Sequence, residues 1–543
     1  MVNKIYQEWL TAKGVCNHAK ALMKKMDQKQ IDSYFSNESL KFGTAGIRGT
    51  MGPGTHQMNC YTYQQFTSGF AQYLLKKYPK NPSVIIGHDN RLKSDQFAIV
   101  CANVLTSYGI KVYLFKNNEL IPTPIISYAI RMLNASGGII VTASHNPKEY
   151  NGFKVYNPDG GQIINETAKA IEELMPSCVG LTKLKFKPNN KLIRYFDQSM
   201  IDSYFFSAKK VFINRDILDL KKTYPVVYTT HHGTASKYLG EFLKSCHFNP
   251  VAVTQQCYPD GNFPNSPIAN PEDPKSFELA IKKANQVKAD VIVAVDPDAD
   301  RMALMVKHQK QWRLMTGNEM GMIYVYYTLK NKSFMHQPFI VSSHVSTNYI
   351  DLIAKKYGAK VFRSLTGFKQ MGKIVTENDG PMDFIVAFEE AIGALNTNIN
   401  RDKDSFTASA LALEIYHYCK SNKMTIVDYL HHVIFKEFGN WFGKTDSFII
   451  PGLDWKAKAN QLMKSFKNFK KTKIGDFKIQ KINWNKDGDC LEWHLGNNSW
   501  IKFRKSGTEP KFKAYYNFYE KSLKELENKY LKVHKIFKEF INS

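Results

Sequence analysis

Seven short apolar runs, at residues 83–87, 111–115, 138–142, 226–230, 291–295, 339–342 and 384–387, are separated by longer stretches of helical periodicity. A run of four or five apolar residues bounded by polar turns reads as a buried strand. Strands spaced by helices cannot pair as tight hairpins, so the pattern predicts open α/β sheets. Ligand sites in such sheets gather at the carboxyl ends of the strands, and the residues that directly follow the runs are where chemistry is to be sought. With 543 residues, 43% of them hydrophobic, the chain can build several cores at roughly 100 to 200 residues each, which gives three or four domains. Stretches rich in Pro, Gly and Asn, at 258–274 and 450–453, are expected loops or linkers.

Three of the strand ends carry reactive or charged residues. Thr142-Ala143-Ser144-His145-Asn146-Pro147 leaves the third run and offers a serine beside a histidine, a candidate covalent nucleophile. A serine hydroxyl is weak at neutral pH and needs a base, a cation or a metal to activate it. Asp296-Pro297-Asp298-Ala299-Asp300-Arg301 leaves the fifth run. Carboxylates at spacing two point the same way from extended chain, and three anions held together call for a cation, for which Mg2+ is the natural choice. A calcium loop is excluded, because Arg301 and Lys307 stand where it needs glycine and a bidentate glutamate. Phe388-Glu389-Glu390-Ala391-Ile392-Gly393 leaves the last run with paired carboxylates, which either hold sugar hydroxyls or face solvent. Nearer the carboxyl terminus, Arg504-Lys505-Ser506-Gly507-Thr508-Glu509-Pro510 combines two cations, two hydroxyls and a glycine, the makings of a phosphate cradle or of a solvated turn.

The 74 basic residues are overwhelmingly lysine, yet Arg48, Arg91, Arg301 and Arg504 all fall in Gly- or Asp-rich turns. Lysine would supply equal charge there, so arginine points to fork geometry towards phosphate or carboxylate. The formal charge of +26 invites a nucleic-acid reading, but the lysines run from end to end and no helix-turn-helix or zinc-finger spacing appears. A general positive field attracts anionic substrates instead. The eight cysteines are dispersed, with no CxxC pair, and read as reduced and mostly buried. No apolar run reaches the roughly 18 residues that span a bilayer, and the start of the chain lacks a signal core, so the expectation is a cytoplasmic protein. Residues 520–543 place Leu523, Leu526, Tyr530, Val533, Phe537 and Phe540 at helical spacing, as for a helix packed on the final domain. The pairs His231-His232 and His431-His432 need no metal to explain them.

These residues closely resemble the alpha-D-phosphohexomutases, the family of phosphoglucomutases and phosphomannomutases. Five motifs match in order: Lys41-Phe42-Gly43-Thr44-Ala45-Gly46-Ile47-Arg48-Gly49, the serine loop, the aspartate loop, the Glu389 loop and the Arg504 loop. Weaker matches lie between them, at Gly87-His88-Asp89-Asn90-Arg91, Asn151-Gly152-Phe153-Lys154, His232-Gly233-Thr234 and Thr366-Gly367-Phe368-Lys369. The resemblance implies an α/β fold of three similar α/β domains with mixed sheets plus a smaller C-terminal α+β domain around a central cleft. The domains are expected at 1–205 with the phosphoserine loop, 206–315 with the metal loop, 316–445 with the sugar loop and 446–543 with the phosphate loop. No internal repeat is obvious on direct reading.

The resemblance further implies an isomerase, an intramolecular phosphotransferase that interconverts hexose 1-phosphate and hexose 6-phosphate as a phosphomannomutase, a phosphoglucomutase or both. The route runs through a phosphoserine at Ser144 and a hexose 1,6-bisphosphate, which serves as intermediate and activator. On that reading Ser144, His145, Arg48 and Lys154 are catalytic, and Asp296, Asp298, Asp300 and a Ser144 phosphoryl oxygen hold one Mg2+ per chain. Arg301, Thr366, Gly367, Glu389 and Ala391 meet the substrate, while Arg504, Ser506, Gly507 and Thr508 anchor its non-reacting phosphate. His145 and Lys154 are the candidates for proton transfer, since an imidazole near neutral pKa acts in either direction. The implied partners are small-molecule sugar phosphates, with no nucleic acid and no membrane, for a monomer or weak dimer. Two departures from the family pattern stand out. Ala391 replaces a frequent serine two residues after the glutamate, in a form shared with enzymes of pentose phosphates, so phosphopentomutase is the alternative activity. Ala299 replaces a frequent glycine, a change expected to be harmless. A basic sugar-phosphate or nucleic-acid binding protein is the alternative outside enzymes.

Overall fold

A computed structural model describes residues 3–43, 46–214, 216, 223–450, 454–485, 490–505 and 511–542. Thr44 and Ala45 of the first motif, 451–453 of an expected linker, and Ser506, Gly507, Thr508, Glu509 and Pro510 of the phosphate loop lie outside the described residues.

Three sheets repeat one plan. In the first, strands Lys111–Phe115, Ser83–His88 and Gly137–Val141 lie parallel in that spatial order, and Tyr150–Tyr156 pairs antiparallel with the last. The second places Asn249–Ala252, Pro225–Thr229 and Val291–Val295 the same way, followed by antiparallel Met302–His308. In the third, Lys360–Ser364, Pro338–Ser343 and Asp383–Phe388 are followed by antiparallel Ala394–Leu395. Along the chain each unit runs middle strand, helix, outer strand, helix, third strand, hairpin. Every sequence-predicted strand is present, and the sheets are mixed as expected.

The plan gives the three motifs equivalent positions. The Ser144, Asp296–Asp300 and Glu389 segments each form the turn between the third parallel strand and its antiparallel partner. Each turn also holds one non-glycine residue in the left-handed region: Ser144 at φ 53°, Ala299 at φ 57° and Ile392 at φ 55°. That conformation costs roughly 1–2 kcal/mol per residue and survives only where the surroundings dictate it. Ala299 is thus less innocent than its size suggests, because it occupies a position where a missing Cβ relieves strain.

The three units share one hydrophobic cluster that reaches from Ile85 to Trp441. The helix Gly317–Asn331, buried on nearly every face, contributes Met320 and residues 322–327 to it. A fourth, all-antiparallel sheet of five strands spans Asn440–Ile449 to Lys511–Glu520 and has a core of its own, closed by helices Trp455–Lys467 and Leu523–Asn542. The last helix buries Leu526, Tyr530, Val533 and Phe537 as its spacing predicts. Strand Asn440–Ile449 begins before the expected boundary at 446 and pairs along its length with Lys511–Glu520. Cys101, Cys178, Cys246, Cys419 and Cys490 are buried, while Cys16 and Cys60 are exposed. Among the described residues no helix is long and apolar enough to cross a membrane.

Candidate active site

The strand Gly137–Val141 is wholly buried, so its end is rigid, and the chain turns sharply over Ala143–Asn146. Thr142 Oγ1 accepts from the Ser144 amide at 2.8 Å. The turn points Ser144 Oγ across to the second sheet, where it donates to Asp296 Oδ2 at 2.7 Å, and His145 Nδ1 lies 3.2 Å from Ser144 Oγ. Arg48 projects from the edge strand Ile47–Thr50 and donates to Asn146 Oδ1 at 2.7 Å.

The aspartate loop supplies three buried carboxylates whose ligand atoms lie within 4.8 Å of one another. The Lys154 ammonium bridges Asp298 Oδ2 at 2.7 Å and Asp300 Oδ2 at 3.1 Å. The other oxygens, Asp298 Oδ1 and Asp300 Oδ1, are buried and have no hydrogen-bond partner among the described residues. Unpartnered buried carboxylate oxygens are costly in a protein interior, and an oxygen-only donor set suits a hard divalent cation. These residues therefore fit a metal.

The charges divide sharply. Burial and the neighbouring carboxylates raise Asp296 well above the usual range. Burial also opposes ionisation of Asp300, but Lys154, Lys403 and Arg301 outweigh it and hold that carboxyl low. Lys154 is likewise kept charged, since Asp298 and Asp300 overcome its desolvation. His145 does not have the near-neutral pKa expected of it: burial, then Arg301 and Arg48, push it well below the ordinary value. The two proton-transfer candidates are thus set apart, one a neutral imidazole and the other an ammonium.

Glu389 and Glu390 do not act as a pair. Glu389 is buried, accepts from the Gly367 amide at 3.0 Å and is raised above its usual range mainly by burial. Gly367, at φ 103°, opens the helix Phe368–Asn378, and Thr366 beside it is half-buried, as is Ala391. Glu390 turns away to Ser343 and Ser346. Arg301 is joined to the Glu389 turn by a bridge with Gly393, and its guanidinium lies 3.5 Å from Glu272 and 3.8 Å from Asp300. The expected residues of the first three sheets are thus linked in one chain of contacts, from Ser144 through the aspartates and Arg301 to the Glu389 turn. Arg504 stands apart on strand Ser499–Lys505 of the fourth sheet, in register with Cys490 and Lys513 of the flanking strands.

Sequence reasoning missed Lys403. Its ammonium lies 3.2 Å from Asp300 Oδ2, 3.1 Å from Asp402 Oδ1 and 5.0 Å from the Phe368 ring centroid. Asp402 is in turn held by Tyr156 and Gln162 of the first sheet. The run Asn400-Arg401-Asp402-Lys403-Asp404 has the composition of a solvated turn, yet all five residues are buried. The available signal was position: the run directly precedes a helix, Ser405–Ser421, in which nearly every residue is buried. Lys369 was also passed over as a site residue. It reaches from the third sheet to the first motif, donating to Gly43 O and to Asn165 Oδ1.

Models of the phosphoglucomutase/phosphomannomutase family match three consecutive stretches: α/β/α domain I at 39–178, domain II at 202–310 and domain III at 316–435. The chain is 42% identical to a phosphomannomutase of Mycoplasmoides pirum, an alignment that covers all of both chains. It is 38% identical to a phosphomannomutase of Mycoplasma pneumoniae over 99% of this chain and 98% of that one. With a phosphoglucomutase of Staphylococcus haemolyticus it shares 33% identity over 91% and 95%. Among solved structures, the open form of the Paramecium phosphoglucomutase parafusin superposes with a TM-score of 0.69 at 21% identity, over 92% of this chain and 94% of that one. That likeness speaks for the fold.

Proposed function

The chain belongs to the alpha-D-phosphohexomutase family, and from that premise we propose that it is a phosphomannomutase, a phosphoglucomutase or both, interconverting hexose 1-phosphate and hexose 6-phosphate. One observation carries the reading: Ser144 Oγ sits 2.7 Å from a carboxylate oxygen of a buried aspartate triad. A nucleophilic serine and a cation site meet at one point, as phosphoryl transfer through a phosphoserine requires.

In the first half reaction the hexose 1-phosphate hydroxyl at carbon 6 attacks the phosphoryl group carried by Ser144. A P–O bond forms to the sugar as the bond to Ser144 Oγ breaks, and the hydroxyl proton passes to a base. His145, held neutral, suits that role, and Lys154, held charged, suits protonation of the departing oxygen. The resulting hexose 1,6-bisphosphate turns over in the cleft. Ser144 Oγ then attacks the phosphorus at carbon 1, returning its proton to Lys154; the bond from phosphorus to the carbon-1 oxygen breaks, that oxygen takes the proton held by His145, and phosphoserine is regenerated as hexose 6-phosphate leaves. Asp296, Asp298 and Asp300 would hold Mg2+, which supplies neutralisation of charge on the transferring group when bound. Arg48 and Arg301 flank that position and stabilise the same charge. Glu389 and the backbone at Thr366 and Gly367 orient sugar hydroxyls, and Arg504 with Ser506, Gly507 and Thr508 grips the non-reacting phosphate in either orientation. We place the start of the fourth domain at Asn440, where its edge strand begins.

Ala391 provides no hydroxyl beside Glu389, and this favours a second reading, phosphopentomutase. Phosphorus NMR with Mg2+ and a trace of hexose bisphosphate tests both, offering mannose, glucose and ribose 1-phosphates in turn. Fastest conversion of a hexose supports the first reading, and fastest conversion of ribose the second. No conversion by folded protein refutes both.

A further inference from the structure

The repeated plan of the three sheets has a second element. In each unit the middle strand ends in a turn that lies beside the motif-bearing hairpin. In the first unit that turn carries Arg91, whose guanidinium donates to four carbonyls of the serine loop: Nη1 to Pro147 O at 2.8 Å and Tyr150 O at 3.0 Å, Nη2 to Ser144 O at 2.6 Å and to Asn146 O. Asp89 lies 3.3 Å from Arg91 Nε, and the Phe263 ring of the second unit caps the guanidinium at 5.3 Å. Gly261 lets that segment approach, since a Cβ there would fall 2.6 Å from Asn90 O.

In the second unit the equivalent turn carries Thr234. Its amide and its hydroxyl both donate to Pro297 O, at 2.8 and 3.0 Å, inside the aspartate loop. Gly233 packs so closely there that a Cβ would lie 2.4 Å from Pro297 Cα. In the third unit the turn carries Ser346, which accepts from the Glu390 amide at 3.1 Å and donates to Glu390 Oε2 at 3.3 Å. Ser343 donates to the same carboxylate oxygen at 2.9 Å. Arg91, Thr234 and Ser346 are each only 2% exposed, and each hydrogen-bonds the hairpin beside it, while Ser346 is also paired with Ser343 of its own turn.

We infer that these three turns are one repeated device, and that Arg91, Thr234 and Ser346 are positioning residues, one for the nucleophile, one for the metal ligands and one for the sugar loop. The assignment of those three jobs rests on the mutase reading above. A left-handed residue in each hairpin needs its surroundings to hold it, and in each unit a hydrogen bond joins the neighbouring turn to the hairpin backbone, at Ser144 O, at Pro297 O and at the Glu390 amide. None of the three residues needs to touch substrate. Each acts through the group that its hairpin presents, as outer partners of metal ligands do.

A division of labour distinguishes this device from simple structural support. Arg91→Lys, which cannot fork to four carbonyls, should lower kcat by about 100-fold with little change in KM, because a small misplacement of a reacting group has that effect. Thr234→Val, which removes one hydroxyl, should raise the half-saturating Mg2+ concentration by about 10-fold, and Thr234→Ser should restore it. Ser346→Ala should raise KM for the hexose 1-phosphate by about 10-fold with kcat and Mg2+ response kept near those of the parent. Should Arg91→Lys fail to fold, the two hydroxyl deletions decide the matter. The inference is overturned if the variants shift the same parameter together, or if activity stays unchanged while only the melting temperature falls. An inactive parent enzyme would count against the mutase reading instead, so the two failures are told apart.

Discussion

The serine–aspartate cluster and the Arg504 face solve opposite problems. The first is assembled from three sheets that share one core, and its side chains are locked by direct contacts: Ser144 to Asp296, Lys154 to Asp298 and Asp300, Lys403 to Asp300 and Asp402. The second sits on a sheet with a further core of its own and meets the third unit both through apolar contacts, Trp441 in the shared cluster and Val345 against Trp500 and Tyr515, and through polar bridges such as Lys502 to His344 O and Thr347 to Asn517. Groups that make and break bonds gain from a fixed geometry, because effective molarity collapses when reacting atoms drift. A group that only anchors a phosphate can ride on a separately built module.

Changes in the cluster should therefore strike turnover, and changes on the fourth sheet should strike binding. The largest effect is expected from Ser144→Ala, with turnover lost by on the order of 10^4-fold or more and the melting temperature kept, measured by coupled assay and calorimetry. Asp298→Ala should remove the metal response along with activity, which a Mg2+ titration of the residual rate reads out. Lys403→Met comes next. It leaves Asp300 and Asp402 without their shared cation, and loss of one partner from a buried ion network costs roughly 3–5 kcal/mol, so denaturant unfolding should register it together with a fall in kcat. Arg504→Ala should be mildest, with KM raised by about 10-fold and kcat within a few-fold of the parent. A kcat loss for Arg504→Ala as large as that for Lys403→Met would erase the contrast between the two regions.

The strands and the motif turns were legible because each rests on local signals: apolar runs of strand length, and reactive residues at their ends. Other features depend on contacts far apart in sequence. Lys403 meets Asp300 only in the fold, and the one local mark of its burial is that the charged run directly precedes the buried helix Ser405–Ser421. The partition of Glu389 from Glu390 was hidden for a similar reason, since Ser343 and Ser346 lie more than 40 residues away. The threefold plan escaped direct reading because what repeats is strand order and the sites of left-handed backbone, while the residues filling those sites differ: serine, alanine and isoleucine. The near-neutral imidazole expected of His145 failed on electrostatics that only the fold assembles, namely burial beside Arg301 and Arg48.

The most direct test of the central claim is to follow the phosphoryl group itself. The purified protein, incubated with glucose 1,6-bisphosphate and Mg2+, would be digested and its phosphopeptides mapped by mass spectrometry before and after a chase with hexose 1-phosphate lacking a 6-phosphate. The account expects one phosphoryl group on Ser144 that the chase removes into bisphosphate, and none in Ser144→Ala. A turning-over enzyme that never carries phosphate on Ser144, or that carries it there without passing it on, would contradict the account.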